Sequence, residues 1–530
     1  MTIIETIARK IIRSRPQSRG DLAQIKRQAA GEFKMASPLS ADIFRIYQKL
    51  LRQKKIKRDE RLEALLKKRE VRTISGVAPI AVLTKSYPCP GRCTYCPTEK
   101  GMPKSYLSNE PAVMRAVAFH FDPKKQVAGR IKVLEMNGHP TDKLELIVIG
   151  GTWSALPDRY QKWFIQRCFD GANGKKSSSL TAAQKINETA KHRIIGITLE
   201  TRPDYITPGE IRQMRQLGAT RVELGVQSIY DSILQRNRRG HNVAATIRAT
   251  KLLKDAGFKI CYHLMPNLPG STPAKDLKMF KEIFSNPDFQ PDMIKIYPCV
   301  VTRGSEIYKW WKKGKYKPYS EKQLLELLIN IKKIIPPYVR VNRLIRDIPS
   351  PSIAAGNKIS NLREVIAAEM AWRKLYCKCI RCREVGHNPT LKSGLRSPGF
   401  SQVPKLVVRK YTASDGTEYF ISFDSPDKKI LYAFVRLRIP DFSLEPILPE
   451  LKNAALIREL HTYGHLVPID QNSPGATQHL GLGKKLMAEA EKIVKKLGIK
   501  KMAVISGIGV REYYKKLGYH PDGTYMVKNL

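Results

Sequence analysis

Two groups of three cysteines carry the clearest chemical information in this chain. Cys89, Cys93 and Cys96 stand in the loop Cys89-Pro-Gly-Arg-Cys93-Thr-Tyr-Cys96, behind the apolar run Ile80-Ala-Val-Leu83. Three thiolates this close can hold three irons of a [4Fe-4S] cluster. The fourth iron is then open to a small molecule such as S-adenosylmethionine, to which it can pass one electron. A zinc knuckle or three unrelated cysteines are the alternatives. The second group, Cys377, Cys379 and Cys382, has basic neighbours that lower thiol pKa and favour a metal. A structural zinc takes four ligands, and Cys299, at a predicted strand end, is the natural fourth, with His387 a weaker one. Reduced cysteines packed in an interface are the alternative, and Arg381-Cys-Arg-Glu384 could instead face RNA. Cys168 and Cys261 read as small buried hydrophobes. Clustered thiols without a secretory signal indicate a reducing, cytoplasmic setting and metal sites.

A third motif lies near the C-terminal end. Gln478-His479-Leu480-Gly481-Leu482-Gly483-Lys484 opens a helical pattern that runs to about Leu497. Free N–H groups and the helix dipole favour a pyrophosphate at such a start. Further on, Tyr513 and Tyr514 stand in Arg511-Glu-Tyr-Tyr-Lys-Lys-Leu-Gly-Tyr519, and either hydroxyl can serve as an acid, with core packing as the alternative. Arg239-Gly-His241 is open to a catalytic or phosphate-binding reading, or to neither.

These residues need elements to position them. From about 76 to 350, apolar runs beginning near Ile80, Leu144, Ile194, Val222, Ile260 and Ile294 alternate with helical patterns. Parallel strands joined by helical crossovers follow, and six units predict an α/β fold, a partial (β/α)6 barrel with its chemistry at the C-terminal strand ends. Gly150 and Gly151 follow one strand, Glu200-Thr-Arg-Pro-Asp204 another, and Gln227 and Ser228 a third. Glycines there let a ligand approach the backbone. Gly150, Gly151, Gln227 and Ser228 are therefore the candidate contacts to S-adenosylmethionine. Between 351 and 402 the periodicity weakens, which marks a cysteine-containing linker. Residues 403–530 change to antiparallel strands over Leu406–Val408, Tyr419–Phe423, Ile430–Leu437 and Ala455–Leu460, with Asp415-Gly416 as a hairpin signal.

Charge bounds the partners. The 530 residues hold 94 Lys plus Arg against 47 Asp plus Glu, a net charge of +47. Such an excess suits a polyanion, with nucleic acid first and an anionic membrane surface second. Residues 1–75 read as basic and helical. Lys54, Lys55, Lys57, Arg58, Lys67 and Lys68 are candidate phosphate contacts there, against a plain solvated face. Ile3, Ile4, Ile7, Ile11 and Ile12 recur at helical spacing, and Glu5 and Asp21 argue against a transit peptide. No apolar run reaches the roughly 18 residues of a membrane span.

The cysteine spacing at 89–96 is the signature of the radical S-adenosylmethionine enzymes. The strands, pyrophosphate loop and late helix of the last part resemble the GNAT acetyltransferases, which implies acetyl-CoA. The combination resembles the catalytic subunit family of Elongator. Glu110-Pro-Ala-Val-Met-Arg115, Gly138-His-Pro-Thr-Asp-Lys143, Gly150-Gly-Thr152, Glu200–Asp204, Val222-Glu-Leu-Gly-Val-Gln-Ser228, His263-Leu-Met-Pro266, Arg346-Asp-Ile-Pro349 and Asn361-Leu-Arg363 look like that family's barrel motifs. Ile457-Arg-Glu-Leu-His461, Gln478–Gly481 and Ile505–Tyr514 look like its acetyltransferase motifs. Members from eukaryotes carry a longer insert between the first two cluster cysteines, whereas this chain has three residues there.

The resemblance runs from about residue 75 to the end and implies a mechanism. An electron donor reduces the cluster at Cys89, Cys93 and Cys96, and cleavage of S-adenosylmethionine yields a 5′-deoxyadenosyl radical. That radical takes a hydrogen from the acetyl methyl of acetyl-CoA, and the new carbon radical adds to C5 of the wobble uridine (position 34) of a tRNA anticodon. Hydrolysis of the thioester leaves a carboxymethyl group. Gln478 to Lys484 would hold the CoA pyrophosphate, and Glu459, His461 and Tyr514 would line the acetyl site. A protein lysine acetyltransferase with a structural cluster and a non-catalytic tRNA-binding scaffold are the competing readings.

Overall fold

The computed structural model describes residues 2–66, 73, 75–387, 403–463 and 481–530. Seven parallel strands form the first sheet, in the order β1 (Ala78–Leu83), β2 (Lys143–Ile149), β3 (Arg193–Thr201), β4 (Arg221–Gln227), β5 (Lys259–Leu264), β6 (Met293–Ile296) and β8 (Arg340–Arg343). All six anticipated strands are present. The seventh, Arg-Val-Asn-Arg, escaped the hydrophobic pattern because only Val341 of its side chains is buried. A small antiparallel pair, β7 (Val301–Thr302) with β9 (Ile353–Ala355), lies outside this sheet.

Alternation along these strands runs opposite to that of a filled barrel. Leu144, Leu146 and Val148 of β2 and Val222, Leu224 and Val226 of β4 belong to the apolar core shared with the surrounding helices. Their alternate neighbours, Lys143, Glu145, Ile147 and Ile149 on β2 and Arg221, Glu223, Gly225 and Gln227 on β4, line an internal cavity. Successive side chains on a strand point to opposite faces, so one polar and one apolar set per strand yields a hollow, charged interior. Capped helices make the crossovers. Helix Pro208–Gln216, for example, starts on a Thr207 side chain that accepts the Glu210 N–H, with proline in its first turn.

The second sheet is mixed, in the order β10 (Lys405–Ala413), β11 (Gly416–Asp424), β12 (Leu431–Ile439), β13 (Ala454–Thr462), β14 (Lys501–Val504), β16 (Tyr525–Asn529) and β15 (His520–Asp522). Only β13 and β14 pair in parallel, and the segment between them carries helix Leu482–Lys496, as a parallel pair requires a crossover. This helix turns Leu482, Leu486, Met487, Ala490 and Val494 inward. The β10–β11 hairpin turns on Ser414 and Asp415, with φ of 48° and 57°, the left-handed pair of a tight two-residue turn. Gly416 follows because a Cβ there would stand 2.6 Å from the Arg438 guanidinium carbon.

The second sheet packs on the N-terminal ends of the barrel strands through buried charge. Arg458 donates to Asp292 at 2.9 Å and to Glu418 at 3.2 Å. Arg438 reaches Glu418 at 3.1 Å and Asp255 at 3.0 Å, and Arg436 reaches Glu459 at 2.9 Å and the Tyr338 carbonyl at 2.7 Å. Backbone contact is equally close: a Cβ on Gly507 would collide with the Ile195 carbonyl oxygen at 2.0 Å.

The N-terminal part forms four helices, Ile3–Ser14, Arg19–Glu32, Ser40–Arg52 and Glu60–Leu66, around a separate core of Ile7, Ile11, Ile43, Phe44, Tyr47 and Leu50 among others. Ser18 and Asp21 form a reciprocal capping box at the second helix. Among the described residues no helix is long and apolar enough to cross a membrane.

Candidate active site

A single cavity of about 1240 Å³ runs from the cysteine loop, through the barrel interior, to the second sheet. At the C-terminal strand ends it is lined by Cys89, Cys93, Cys96, Gly151, Thr152 and Gln227. The loop keeps its thiols together with little side-chain bulk: a Cβ on Gly91 would lie 3.5 Å from Cys93 Sγ and 3.7 Å from Cys89 Sγ. Cys89 Sγ accepts the Gly91 N–H at 3.4 Å, and Arg239 Nη1 stands 3.6 Å from Cys93 Sγ. A hydrogen bond from Cys96 and the charge of Arg239 outweigh burial and pull Cys93 down to about 5, into the thiolate range. Cys93 and Cys96 hydrogen-bond each other, Cys89 lines the same cavity, and with a cation behind them these three thiols suit a [4Fe-4S] cluster.

The expected contacts to S-adenosylmethionine divide. Gly151 and Gln227 line the cavity, and Gln227 holds φ of 69° with Oε1 free of hydrogen bonds. Gly150 does not line it. A Cβ there would strike Thr84 Oγ1 at 2.1 Å, so this glycine serves the close packing of β1 against β2. Ser228 is buried behind the strand end, where its hydroxyl accepts the Tyr230 N–H at 3.3 Å.

A charged chain crosses the middle of the cavity. Glu223 accepts hydrogen bonds from His263 Nε2 at 2.9 Å and from Lys295. His263 Nδ1 stands 3.5 Å from Glu200, which accepts from the Tyr106 hydroxyl at 2.9 Å. Burial alone would raise the Glu223 carboxyl, yet Lys295 and His263 hold it well below the usual range. Sequence reasoning left Glu223, His263 and Lys295 without a role. Their signal was a charged residue at an alternate position of otherwise apolar strands.

At the opposite end the cavity meets β13. Glu459 is paired with Arg436 and lies 3.5 Å from Lys259. Burial opposes ionisation, but Lys259 and Arg436 prevail and bring Glu459 down to about 2, so it is a fixed anion. His461 Nε2 donates to the Ser75 carbonyl at 2.8 Å, and burial keeps its ring below the usual imidazole range. Gly481, with φ of 70°, precedes helix Leu482–Lys496 and lines the cavity with Gly483, Lys484, Tyr513 and Tyr514. A Cβ on Gly483 would lie 2.8 Å from the Tyr513 hydroxyl, so the glycine lets that hydroxyl sit over the first helical turn. Burial pushes Tyr513 up to about 12 and Tyr514 higher, so both hydroxyls keep their protons at neutral pH. Leu482 is buried in the core, and Gln478, His479 and Leu480 lie outside the described residues.

The sulfurs of Cys377, Cys379 and Cys382 all lie within 4.8 Å of one another, with Lys332 Nζ 3.4 Å from Cys382 Sγ. Cys299 does not join them, which corrects the expected ligand set. It follows β6 at the C-terminal end of the barrel, in an apolar cluster with Cys93, Tyr95 and Tyr316. Ile380 instead bonds to the Val339 carbonyl just before β8, at the other end of the barrel. Strand length separates the two. His387 pairs with Glu384 at 2.8 Å. Lys54, Lys55, Lys57 and Arg58 are exposed after the third N-terminal helix, and Lys67 and Lys68 lie outside the described residues. Arg239 serves the cysteine loop, while His241 faces a second, smaller pocket.

Comparison with known proteins accounts for this arrangement. Residues 83–283 match the Radical SAM superfamily and residues 291–371 the Radical_SAM C-terminal domain. A protein of Methanocaldococcus infernus named tRNA uridine(34) acetyltransferase is 51% identical over 475 residues, 88% of each chain. The Homo sapiens protein named Elongator complex protein 3 is 39% identical over 552 residues, 100% of this chain and 97% of that one. A solved structure of Methanocaldococcus infernus Elp3 with an N-terminal deletion superposes with a TM-score of 0.76 at 49% identity, covering 86% of this chain and 100% of that one. A radical SAM domain brings a [4Fe-4S] cluster and S-adenosylmethionine with it. This chain belongs to the radical SAM family of the tRNA uridine(34) acetyltransferases and Elongator complex protein 3.

Proposed function

We propose that this protein is a tRNA-modifying enzyme that uses acetyl-CoA and radical SAM chemistry to install a carboxymethyl group at C5 of uridine 34. The observation that carries this reading is the one cavity joining the cysteine loop to Tyr513 and Gly483. A radical made at one end and an acetyl group held at the other must come within bonding reach, and a continuous cavity offers a path between them inside the protein.

Loaded at Cys89, Cys93 and Cys96, the cluster would supply one electron to S-adenosylmethionine and so a radical able to take hydrogen from carbon. The chain's own residues orient the rest. Gly151 and Gln227 offer backbone and amide groups to S-adenosylmethionine. The mixed sheet, with its parallel β13–β14 pair and interposed helix, supports a GNAT domain over 403–530. The N-terminus of that helix, from Gly481 to Lys484, then holds the CoA pyrophosphate, continuing the loop that starts at Gln478. Tyr513, protonated and above that helix, donates to the thiolate leaving group. Glu459 and His461 shape the acetyl end, with Glu459 as a fixed charge. The middle chain of Glu200, His263, Glu223 and Lys295 presents donors and acceptors to the uracil edge. We assign 76–350 to the barrel and 351–402 to a linker whose Cys377, Cys379 and Cys382 bind zinc, with a fourth ligand other than Cys299. Residues 1–75 provide tRNA contacts. A single-stranded anticodon loop suits such recognition, because its bases are already unstacked. The grouped reduced cysteines support a cytoplasmic location.

Anaerobic protein incubated with tRNA, acetyl-CoA, S-adenosylmethionine and a reductant, then read by nucleoside mass spectrometry, tests the proposal. Carboxymethyluridine forms with the natural chain and disappears with Cys96→Ala. Acetyl-lysine on a protein, unaffected by Cys96→Ala, would instead establish the lysine acetyltransferase, and tRNA binding with neither product the scaffold.

A further inference from the structure

The cysteine loop has two sides. One faces the main cavity. The other forms, with Arg202, Asp231, Arg238, Gly240 and His241, the wall of an outer pocket of about 640 Å³. Gly91 and Arg202 line both spaces, so the partition between them is one residue thick. Close packing makes it so. Cβ atoms on Gly91 and on Gly240 would each lie 2.8 Å from an Arg202 guanidinium nitrogen, so the guanidinium fits between two glycines. Asp204 fixes it there with hydrogen bonds of 2.9 and 2.7 Å.

The outer side is strongly basic. Thr94 of the loop bonds to the Asn237 carbonyl and receives the Ile307 N–H on its own carbonyl at 2.9 Å. The loop is thereby held between the end of helix Asp231–Arg236 and the start of helix Glu306–Lys312. Arg92 on the loop, Arg236 and Arg238 on one flank, and Lys309 and Lys312 on the other are all exposed. The two carboxylates beside them are engaged: Glu306 pairs with Arg238 at 2.8 Å, and Asp231 accepts the Val243 N–H at 2.7 Å.

We propose that this face, around Arg92, Arg236, Arg238, Lys309 and Lys312, docks an acidic one-electron carrier protein that reduces the cluster. The proposal rests on the cysteine loop holding a [4Fe-4S] cluster. An electron crosses a thin wall, and its transfer weakens steeply with distance, so a partition one residue thick suits electron entry from this side. The carrier loses one electron and the cluster gains it, with no bond or proton exchanged. RNA bound on this side would be cut off from the cavity by the loop itself, whereas a carrier needs only to come close. Opposite charge orients such short-lived encounters and speeds them.

The test uses the full chain with reconstituted cluster, its iron content measured first. Arg236→Glu/Arg238→Glu is compared with the natural chain in stopped-flow reduction by a pre-reduced acidic [2Fe-2S] ferredoxin and, separately, by dithionite. Calorimetry measures ferredoxin binding to the cluster-free protein. We expect ferredoxin-driven reduction at low salt to fall about ten-fold or more, with dithionite-driven reduction unchanged and ferredoxin binding weakened. An unchanged ferredoxin rate overturns the proposal, and so does a loss confined to tRNA affinity, which would make this an RNA face. Slower reduction by both agents would show damage to the loop, and Lys309→Glu/Lys312→Glu, on the other flank, then decides by the same two rates. A natural chain that assembles no iron overturns the cluster assignment and this proposal together.

Discussion

The junction between the two sheets and the N-terminal helical unit solve opposite problems with opposite chemistry. At the junction, Arg436, Arg438 and Arg458 are all but inaccessible, each bound to carboxylates or carbonyls from both sides. In the N-terminal unit the core is apolar and the charge lies outside, as in the Lys10–Glu32 and Arg58–Glu63 pairs. Buried charge pairs are directional and intolerant of displacement, whereas apolar contact and solvated pairs are forgiving. The junction therefore holds the two ends of one cavity in register. The N-terminal unit keeps its cations at the surface, where they can meet a polyanion of variable shape.

Removing one member of the junction has the largest expected effect. Arg458→Ala leaves Asp292 and Glu418 buried with reduced compensation, and should destabilise the protein by about 3–5 kcal/mol, read by urea unfolding. A loss below about 1 kcal/mol would place the junction among the forgiving regions. In the N-terminal unit, Ile11→Ala should cost about 2–5 kcal/mol locally. Hydrogen exchange should show that loss confined to residues 3–66, with the barrel strands unaffected. Spread of the effect into β1–β6 would make the two regions one cooperative unit.

Acid should reach the junction through Glu459. Its folded-state pKa, about 2, lies below the ordinary 4.5, so in that window the unfolded state binds more protons. Its contribution is fully present above about pH 4.5 and is lost as pH falls towards 2. Glu459→Gln should flatten the stability profile between those values, and above about pH 5 the variant should be less stable by an amount that no longer changes with pH. Tyr513→Phe removes only a hydroxyl, so it should leave unfolding nearly unchanged while reducing carboxymethyluridine formation by about 10²-fold or more. An undiminished product yield would return Tyr513 to a packing role. The smallest effect on stability belongs to the exposed cations. Lys54→Ala/Lys55→Ala/Lys57→Ala should change stability by less than about 0.5 kcal/mol per site. The same variant should lower the salt dependence of tRNA binding by about one unit of slope for each phosphate that is no longer neutralised.

The elements of the barrel were legible where burial left a mark. Ile80, Leu144, Ile194, Val222, Ile260 and Ile294 all fall within parallel strands because one face of each packs on helices. The strand Arg340–Arg343 was not legible, since its exposed and cavity-facing residues outnumber the buried one. Gln227 and Ser228 show the same limit within a site. Both stand at one strand end, but consecutive side chains diverge, and only Gln227 lines the cavity. Cys299 was misassigned because chemistry alone named it a ligand, while its strand carries it to the far end of the barrel from Cys377.

By itself the sequence determined the kinds of chemistry present: a three-cysteine loop, a glycine-rich helix start, two adjacent tyrosines and a large excess of cations. These depend on local spacing, and backbone geometry translates local spacing directly into which groups share a turn. Only the tertiary structure decided that the cysteine loop and the tyrosines open onto one cavity. It also decided that Glu223, His263 and Lys295 cross its middle, and that three buried arginines hold its two ends together. Those relations join residues tens to hundreds of positions apart, and only the pairing of strands in the barrel and the packing of the second sheet on their ends bring them within reach.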